Sequence, residues 1–145
     1  ALPHAAADLE AIREAIIAQY ADEYDYEEPA VNIAVPEGMT SYFNDTNSQG
    51  DNHDTTYLMT ENFTLTSDDD FVVVYGVNHT TTGKAVYSNA VLYARPMLNG
   101  VCSIYNGLFE GSAAQYLPEG ADGYYVYKMA RPGWSGADEF TAEIP

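Results

Sequence analysis

Apolar residues recur at intervals of three and four positions near the start of the chain. On an α-helix this spacing places five of them on one face: Leu9, Ile12, Ile16, Tyr20 and Tyr24. Acidic residues stand in the first turns, where the helix dipole favours negative charge. The pattern predicts one amphipathic helix over residues 5–24, whose apolar stripe packs on the domain's own sheet or on a neighbouring subunit.

Beyond the helix, the pattern changes to the alternating and β-branched runs that are typical of strands. Seven segments carry it: 31–35, 57–66, 71–77, 85–94, 103–108, 124–130 and 140–144. We therefore expect a mainly β (α+β) fold, an antiparallel β-sandwich or jelly roll with one N-terminal amphipathic helix. The length suits a single domain over residues 1–145, in which residues 31–145 form the β-rich part.

The run Phe71–Val77 is apolar at positions that face both sides of a sheet. Such a run predicts a central strand in a sheet that is covered on both faces. The polar residues 78–84 that follow include Gly83, which can adopt a positive φ in a tight turn. We therefore predict that residues 71–77 form a β-hairpin with residues 85–94.

The charge of the chain limits its partners. There are 22 acidic and 5 basic residues, which give a formal net charge of −17. Sixteen of the acidic residues precede position 71, whereas residues 71–109 contain none. Such a chain repels polyanions, so nucleic acid and anionic membranes are not expected partners. A membrane span is not expected either, because no apolar run approaches the required length of about 20 residues.

Three features bear on secretion. The chain begins at Ala1, as a mature chain does after its leader is removed, and as a trimmed chain also does. Sequons for N-glycosylation begin at Asn44, Asn62 and Asn78, and three of them favour a secreted glycoprotein over chance. Cys102 is the single cysteine, so no intrachain disulfide forms, and its apolar surroundings predict a buried thiol.

Residues 44–54 are rich in Asp and Asn, whose oxygens are ligands that Ca²⁺ prefers. The candidate ligands are Asp45, Asn47, Asp51 and Asp54. An EF-hand is not expected, because the twelfth position from Asp45 is a threonine rather than a glutamate. Two interpretations stay open: an irregular calcium loop, and a solvated turn whose side chains bond to the backbone. The sequence suggests no cofactor other than calcium.

One group of residues is compatible with catalysis. His79 follows the apolar run 71–77, Lys84 lies across the predicted turn, and Tyr75 is close in sequence. A histidine at a strand end can act as a general base. An ordinary capped turn has the same composition, and the chain lacks a nucleophile elbow, a P-loop, a dinucleotide fingerprint and a metalloprotease helix. An enzyme is therefore the less favoured interpretation.

Four of the five basic residues fall in the acid-poor half of the chain: Lys84, Arg95, Lys128 and Arg131. They can gather into an anion-binding patch, pair with carboxylates from the front half, or belong to an interface with another subunit. The 13 tyrosines, clustered locally at 20–26 and 124–127, suit carbohydrate stacking, self-assembly or a plain core role.

These observations favour a secreted, acidic, glycosylated β-domain, extracellular or at the cell surface, with a structural, adhesive or self-assembly role and stabilisation by calcium. Two alternatives stay open. One is a small extracellular hydrolase or lyase that uses His79 and Lys84, and the other is a module that binds carbohydrate or anions.

Overall fold

The computed structural model describes residues 5–33 and 58–145. Within these residues there are one helix, α1 (Ala5–Tyr20), and seven strands: β1 (Val31–Ile33), β2 (Leu58–Thr60), β3 (Phe71–Val77), β4 (Asn89–Ala94), β5 (Asn99–Tyr105), β6 (Tyr124–Ala130) and β7 (Thr141–Glu143). Short 3₁₀ turns lie at Asn106–Leu108 and Ala121–Gly123. The prediction of a mainly β fold with one helix is confirmed, and the described strands form no closed barrel. In the described part of the chain, no helix has the length and apolar content needed to cross a bilayer.

The chain forms two compact units, and the smaller one comprises residues 25–64. Its described part is an antiparallel pair of short strands, β1 and β2, in which Val31 lies opposite Thr60. The N–H of Glu61 donates to the carbonyl of Ala30 at 3.0 Å and closes the pair. The strand predicted over 57–66 therefore ends at Thr60 within the described residues. The prediction of a single domain stays a prediction.

The larger unit is built on a three-stranded sheet with the order β3, β6, β7. Strands β3 and β6 are antiparallel, with Phe71 opposite Ala130 and Val77 opposite Tyr124. Strands β6 and β7 are parallel, with Lys128 opposite Thr141, which is an exception to the mainly antiparallel pairing that the sequence predicts. The predicted strands 124–130 and 140–144 are thus present, and β6 rather than β3 is the central strand of this sheet.

One face of the sheet is covered by α1, so the prediction that the helix packs on its own sheet is confirmed. Ile12 from the helix and Val126 from β6 are both buried in this first core, together with Ala113, Tyr116 and Leu117. The helix ends at Tyr20, four residues earlier than predicted. Asp22, Glu23 and Asp25 follow it, and negative charge at a helix C-terminus is unfavourable.

An aromatic cluster closes the same face beyond the end of the helix. The ring centroids of Phe71 and Trp134 are 4.2 Å apart in a stacked arrangement, and Tyr20 packs edge-on to Phe71 at 4.8 Å. The Trp134 indole N–H donates to the Tyr24 hydroxyl at 3.1 Å. Tyr24 therefore packs in this cluster although it lies beyond the end of the helix. This packing explains why the apolar spacing of the helix extends to Tyr24.

The other face of the sheet is covered by the β4–β5 hairpin. Cys102 and Ile104 of β5 are buried against Tyr127 and Met129 of β6 in a second core. Both faces of the sheet are therefore covered, as the apolar run 71–77 predicts. Cys102 is a buried free thiol, as expected, and burial raises its pKa.

The predicted hairpin between residues 71–77 and 85–94 is wrong. Strand β4 begins only at Asn89 and pairs with β5, while β3 pairs with β6. The turn after β3 instead closes on itself, because the carbonyl of His79 accepts the N–H groups of both Lys84 and Ala85. Gly83 has the predicted positive φ of 76°. A strand with apolar side chains on both faces is stabilised more by pairing with the buried β6 than by pairing with a segment close in sequence.

A fully buried lysine stands in the middle of β6. Lys128 is 0 % exposed, and its ammonium donates to the Asp138 carboxylate at 2.7 Å. The same carboxylate accepts the N–H of Phe140 at 2.9 Å and the hydroxyl of Thr141 at 3.0 Å. Partial burial acts to raise the pKa of Asp138, but the hydrogen bonds from Lys128 and Phe140 outweigh it and hold that pKa below its usual value. The ion pair joins the centre of the sheet to the turn that leads into β7.

We predict that Asp138→Asn destabilises the protein strongly, because it leaves the buried Lys128 charge without a compensating carboxylate. The expected loss is about 3 kcal/mol, at the lower end of the range for buried pairs, since the Asp138 side chain is partly exposed. Asp68→Asn is the matched control: Asp68 is almost fully exposed, pairs with Arg131 at 3.4 Å, and should cost less than about 1 kcal/mol. Denaturant unfolding followed by the fluorescence of the single, buried Trp134 measures both. Equal losses in the two variants would contradict the assignment.

The same pair predicts a dependence on pH. Because the pKa of Asp138 is lowered by folding, its stabilisation is complete above the unfolded pKa of about 3.9 and is lost as pH falls through the folded pKa. We expect the difference in unfolding free energy between wild type and Asp138→Asn to shrink as pH falls from about 6 to about 2. Denaturant melts at each pH measure this difference, and a constant difference would be the contrary result.

Candidate functional site

The β4–β5 hairpin has one face in the core and one face in solvent. Strand alternation places Ala90, Leu92, Cys102 and Ile104 inward, in the second core. The pairing shifts by one residue between Leu92 and Tyr93, as in a β-bulge. The outer residues form a surface that we call the tyrosine face, and they are Asn89, Val91, Tyr93, Gly100, Ser103 and Tyr105.

Each tyrosine ring of this face has a glycine beside it, and one of the two glycines leaves room for a ring. A Cβ on Gly100 would lie 3.3 Å from Cγ1 of Val91 and 3.7 Å from Cε1 of Tyr93, so the Tyr93 ring edge lies near Gly100 at ordinary contact distance. A Cβ on Gly107 would collide with the Tyr105 ring, so that ring occupies the space a side chain would fill. Tyr93 is nevertheless 54 % exposed and Tyr105 is 47 % exposed. The Tyr105 ring therefore rests on the backbone at Gly107, the Tyr93 ring lies near Gly100, and both remain substantially open to solvent.

The two rings are well separated along the hairpin. Tyr105 lies opposite Asn89 in the register, and Asn89 is four positions from Tyr93 on the same strand. At about 3.3 Å per residue, the two tyrosines are roughly 13 Å apart along the strand direction. Val91 and Ser103, which face each other across the ladder, occupy the space between them.

No residue of the tyrosine face is charged, although the whole chain has a net charge of −17. The nearest formal charge in sequence is Arg95, an exposed residue in the turn at 95–98. Met97 in that turn is 77 % exposed, and Leu98 adopts a left-handed φ of 54°. Exposed apolar side chains continue beside the hairpin at Val86, Tyr87 and Leu108. The surface is therefore uncharged and rich in aromatic and apolar groups.

The predicted catalytic residues lie at the turn after β3. The His79 and Lys84 side chains are both exposed, and the hydrogen bonds that join these residues involve their backbones. Tyr75 is half-buried against the α1 side of the sheet. A cavity of about 250 Å³ in the larger unit has a different lining, which includes Gln115, Asp138 and Glu139. Catalysis by His79 and Lys84 stays a prediction.

The four candidate anion-binding residues differ in their surroundings. Lys128 is buried and paired with Asp138, so it cannot meet an anion from solvent without breaking that pair. Arg131 pairs with Asp68, a carboxylate from the front half of the chain, at 3.4 Å. Lys84 and Arg95 are exposed. These contacts therefore do not support a shared patch of all four basic residues.

The candidate calcium ligands Asp45, Asn47, Asp51 and Asp54 lie outside the described residues, as does the sequon at Asn44. Within 5–33 and 58–145, no group of three or more His, Cys, Asp or Glu side chains is placed to hold a metal ion. The calcium loop stays a prediction.

The acidic run 68–70, just before β3, has a structural role at its last residue. The Asp70 carboxylate accepts the N–H of Thr66 at 2.7 Å and the N–H of Ser67 at 3.2 Å. These hydrogen bonds, with that of Thr66 the largest contribution, lower the pKa of Asp70. The carboxylate thus closes the turn that leads into β3.

The tyrosines that cluster in sequence are mainly core residues. Tyr124 and Tyr127 are buried, and Tyr20 is part of the aromatic cluster. The Tyr124 hydroxyl donates to Asp8 at 2.7 Å, and burial together with this bond raises the pKa of Tyr124 to about 12. The exposed rings of the tyrosine face were not singled out from the sequence. The signal that could have found them is a pair of glycines, Gly100 and Gly107, within a β-rich, carboxylate-free run.

Comparison of the chain with protein-family models, with curated proteins and with solved structures found no match.

The two described sequons differ in accessibility. Asn62 is exposed. Asn78 is only 6 % exposed, and its side-chain oxygen accepts both the hydroxyl of Thr80 at 2.6 Å and the N–H of Thr80 at 3.3 Å. A glycan on Asn78 would require this turn to open.

We predict that Asn62 carries a glycan after expression in a eukaryotic secretory host and that Asn78 does not. The glycan mass is the difference between the intact masses before and after glycosidase treatment. It should be lower in Asn62→Gln than in the wild type and unchanged in Asn78→Gln. Asn78→Gln should instead lower the unfolding free energy by about 1 kcal/mol, because the bonds to Thr80 are lost. Glycan detected at Asn78 would contradict the prediction.

Proposed function

We propose that this chain is a secreted, acidic, glycosylated β-domain with an adhesive or structural role, and that it makes its contacts through the tyrosine face. The observation that supports this most is the uncharged, aromatic outer surface of the β4–β5 hairpin on a chain of net charge −17. The inner surface of the same hairpin is part of the second core. The outer surface is therefore held on a packed support rather than on a free loop.

The chemistry of the surface matches what contact surfaces use. The centres of protein contact surfaces are depleted in charge and enriched in tyrosine, which combines apolar area with a hydroxyl that can stay in water. A tyrosine also loses little conformational entropy on binding, and a ring that already rests on backbone loses less. The acidic remainder of the chain keeps the molecule in solution and opposes non-specific association. Contact is thereby restricted to the face that lacks charge.

The finer architecture belongs to the same proposal. Two sheets, β4–β5 and β3–β6–β7, share the second core, which is the arrangement expected of a β-sandwich. We propose that the chain is a single sandwich domain of jelly-roll type, located outside the cell or at its surface. Calcium bound by Asp45, Asn47, Asp51 and Asp54 would add stability, and chelation should then lower the melting temperature.

A contact role is better supported than the hydrolase or lyase alternative. His79 and Lys84 are exposed at a turn that closes through its own backbone. Their side chains are placed for solvent rather than for a buried substrate. Self-assembly is the form that the contact role takes if the partner is a second copy of the chain.

The proposal predicts that removal of the two rings abolishes contact formation without unfolding the protein. The variant is Tyr93→Ser with Tyr105→Ser, and the control is Tyr26→Ser, which removes a ring of similar exposure from the smaller unit. Sedimentation equilibrium measures self-association, and retention on cellulose, chitin and collagen-coated beads measures adhesion. We expect the wild type and the control to associate or be retained, and the tyrosine-face variant to lose about tenfold or more in affinity.

A wild type that stays monomeric and is retained on none of these beads would contradict the contact role. Retention that is equal in all three proteins would contradict the assignment of the contact to the tyrosine face. Melting temperatures, measured in parallel, establish that both variants are folded.

A further inference from the structure

We propose that the ligand of the tyrosine face is an uncharged polysaccharide chain that lies along the hairpin, with Tyr93 and Tyr105 each stacked on a separate sugar ring. This inference rests on the proposed function and names the class of its partner. Three properties of the face carry it: the presentation of the rings, their separation and the absence of charge.

The rings are presented as flat supports. The Tyr105 ring fills the space at Gly107 and the edge of the Tyr93 ring lies near Gly100, while about half of each residue remains exposed. Sugar rings have an apolar C–H surface that packs on the face of an aromatic ring. The free side of each tyrosine offers such a surface in a fixed orientation, which reduces the entropy lost on binding.

The separation of the rings selects an extended ligand. Two supports that are roughly 13 Å apart cannot both be covered by one sugar ring. Between and beside them lie the hydroxyl of Ser103 and the amide of Asn89, both exposed and able to bond with sugar hydroxyl groups. A linear chain of several sugars meets both rings and these polar groups at once.

The charge selects an uncharged ligand. Anionic polymers are repelled by a chain of net charge −17, and Arg95 at the turn is the only formal charge between Lys84 and Glu110. A basic polymer would find no carboxylate within residues 71–109. A second copy of the chain brings the same negative charge, so its approach is opposed. A neutral polymer meets none of these penalties.

The test is affinity electrophoresis of the full chain in native gels that contain a soluble polysaccharide. Hydroxyethyl cellulose and carboxymethyl cellulose share one backbone and differ in charge, so they form a matched pair of ligands, and laminarin adds a second neutral polymer. We expect retardation by at least one neutral polymer and weaker retardation by carboxymethyl cellulose. The affinity should change less than about twofold between low and high salt, because an uncharged ligand has no Coulomb attraction to screen.

Three variants locate the site. Tyr93→Ser and Tyr105→Ser should each weaken binding about tenfold, as is typical when an aromatic anchor is removed. Gly107→Ala should also weaken binding, although it removes no aromatic group, because the added methyl displaces the Tyr105 ring from its resting place. Tyr26→Ser, which removes an exposed ring of the smaller unit, should bind as the wild type does. Melting temperatures of all four should stay close to that of the wild type.

Absence of retardation by both neutral polymers would overturn the inference. Equal binding of carboxymethyl cellulose, or binding that survives both tyrosine substitutions, would overturn it as well. If the wild type still self-associates or adheres to collagen through Tyr93 and Tyr105, the tyrosine face keeps its contact role and only the polysaccharide is wrong. If it does neither, the proposed function fails together with the inference.

Discussion

The structure depends on one buried charge. Lys128 stands at the middle of the central strand β6, where both hydrophobic cores meet, and it is fully removed from solvent. An unpaired ammonium there would cost several kcal/mol, so the fold requires a carboxylate at this position. Asp138 supplies it, and the same carboxylate binds the N–H of Phe140 and the hydroxyl of Thr141. One side chain thus compensates the charge, shapes the turn and sets β7 beside β6.

The position of the proposed contact surface follows from the same strand. The side of β6 that carries Tyr127 and Met129 packs against the inner side of the β4–β5 hairpin, which fixes the hairpin on the sheet. Strand alternation then leaves Tyr93 and Tyr105 on the outer side, with the Tyr105 ring over Gly107 and the Tyr93 ring near Gly100. The chain places its acidic residues elsewhere, mostly before β3, and leaves the residues from β3 to the end of β5 free of carboxylates. Carboxylates and the proposed contact surface are therefore separated along the chain.

Local pattern predicted the elements better than their pairing. The spacing of Leu9, Ile12 and Ile16 indicated the helix, and burial of Cys102 followed from its apolar surroundings. The partner of β3 could not be predicted in the same way, because β6 lies about 50 residues further along the chain and local periodicity carries no information on such distant pairing. The predicted turn at Gly83 instead favoured the nearer segment, residues 85–94, as the partner of β3. The turn is real, but its hydrogen bonds close it on itself.

Two side-chain environments also could not be predicted from the sequence. Lys128 was grouped with other bases as a candidate for anion binding, since its partner Asp138 belongs to a different element and only the fold brings them together. The tyrosine face was not predicted, because the sequence pattern singled out the tyrosines that cluster along the chain. Two of these, Tyr124 and Tyr127, are buried. Exposed rings are distinguished from core rings by strand alternation only when the pairing is known.

The most direct test is an NMR titration of selectively labelled tyrosine rings with a neutral soluble glucan. The account predicts that the ring signals of Tyr93 and Tyr105 shift together with one binding constant, while those of the buried Tyr124 and Tyr127 stay in place. Shifts confined to rings outside the tyrosine face, or a titration that moves no tyrosine signal, would contradict it.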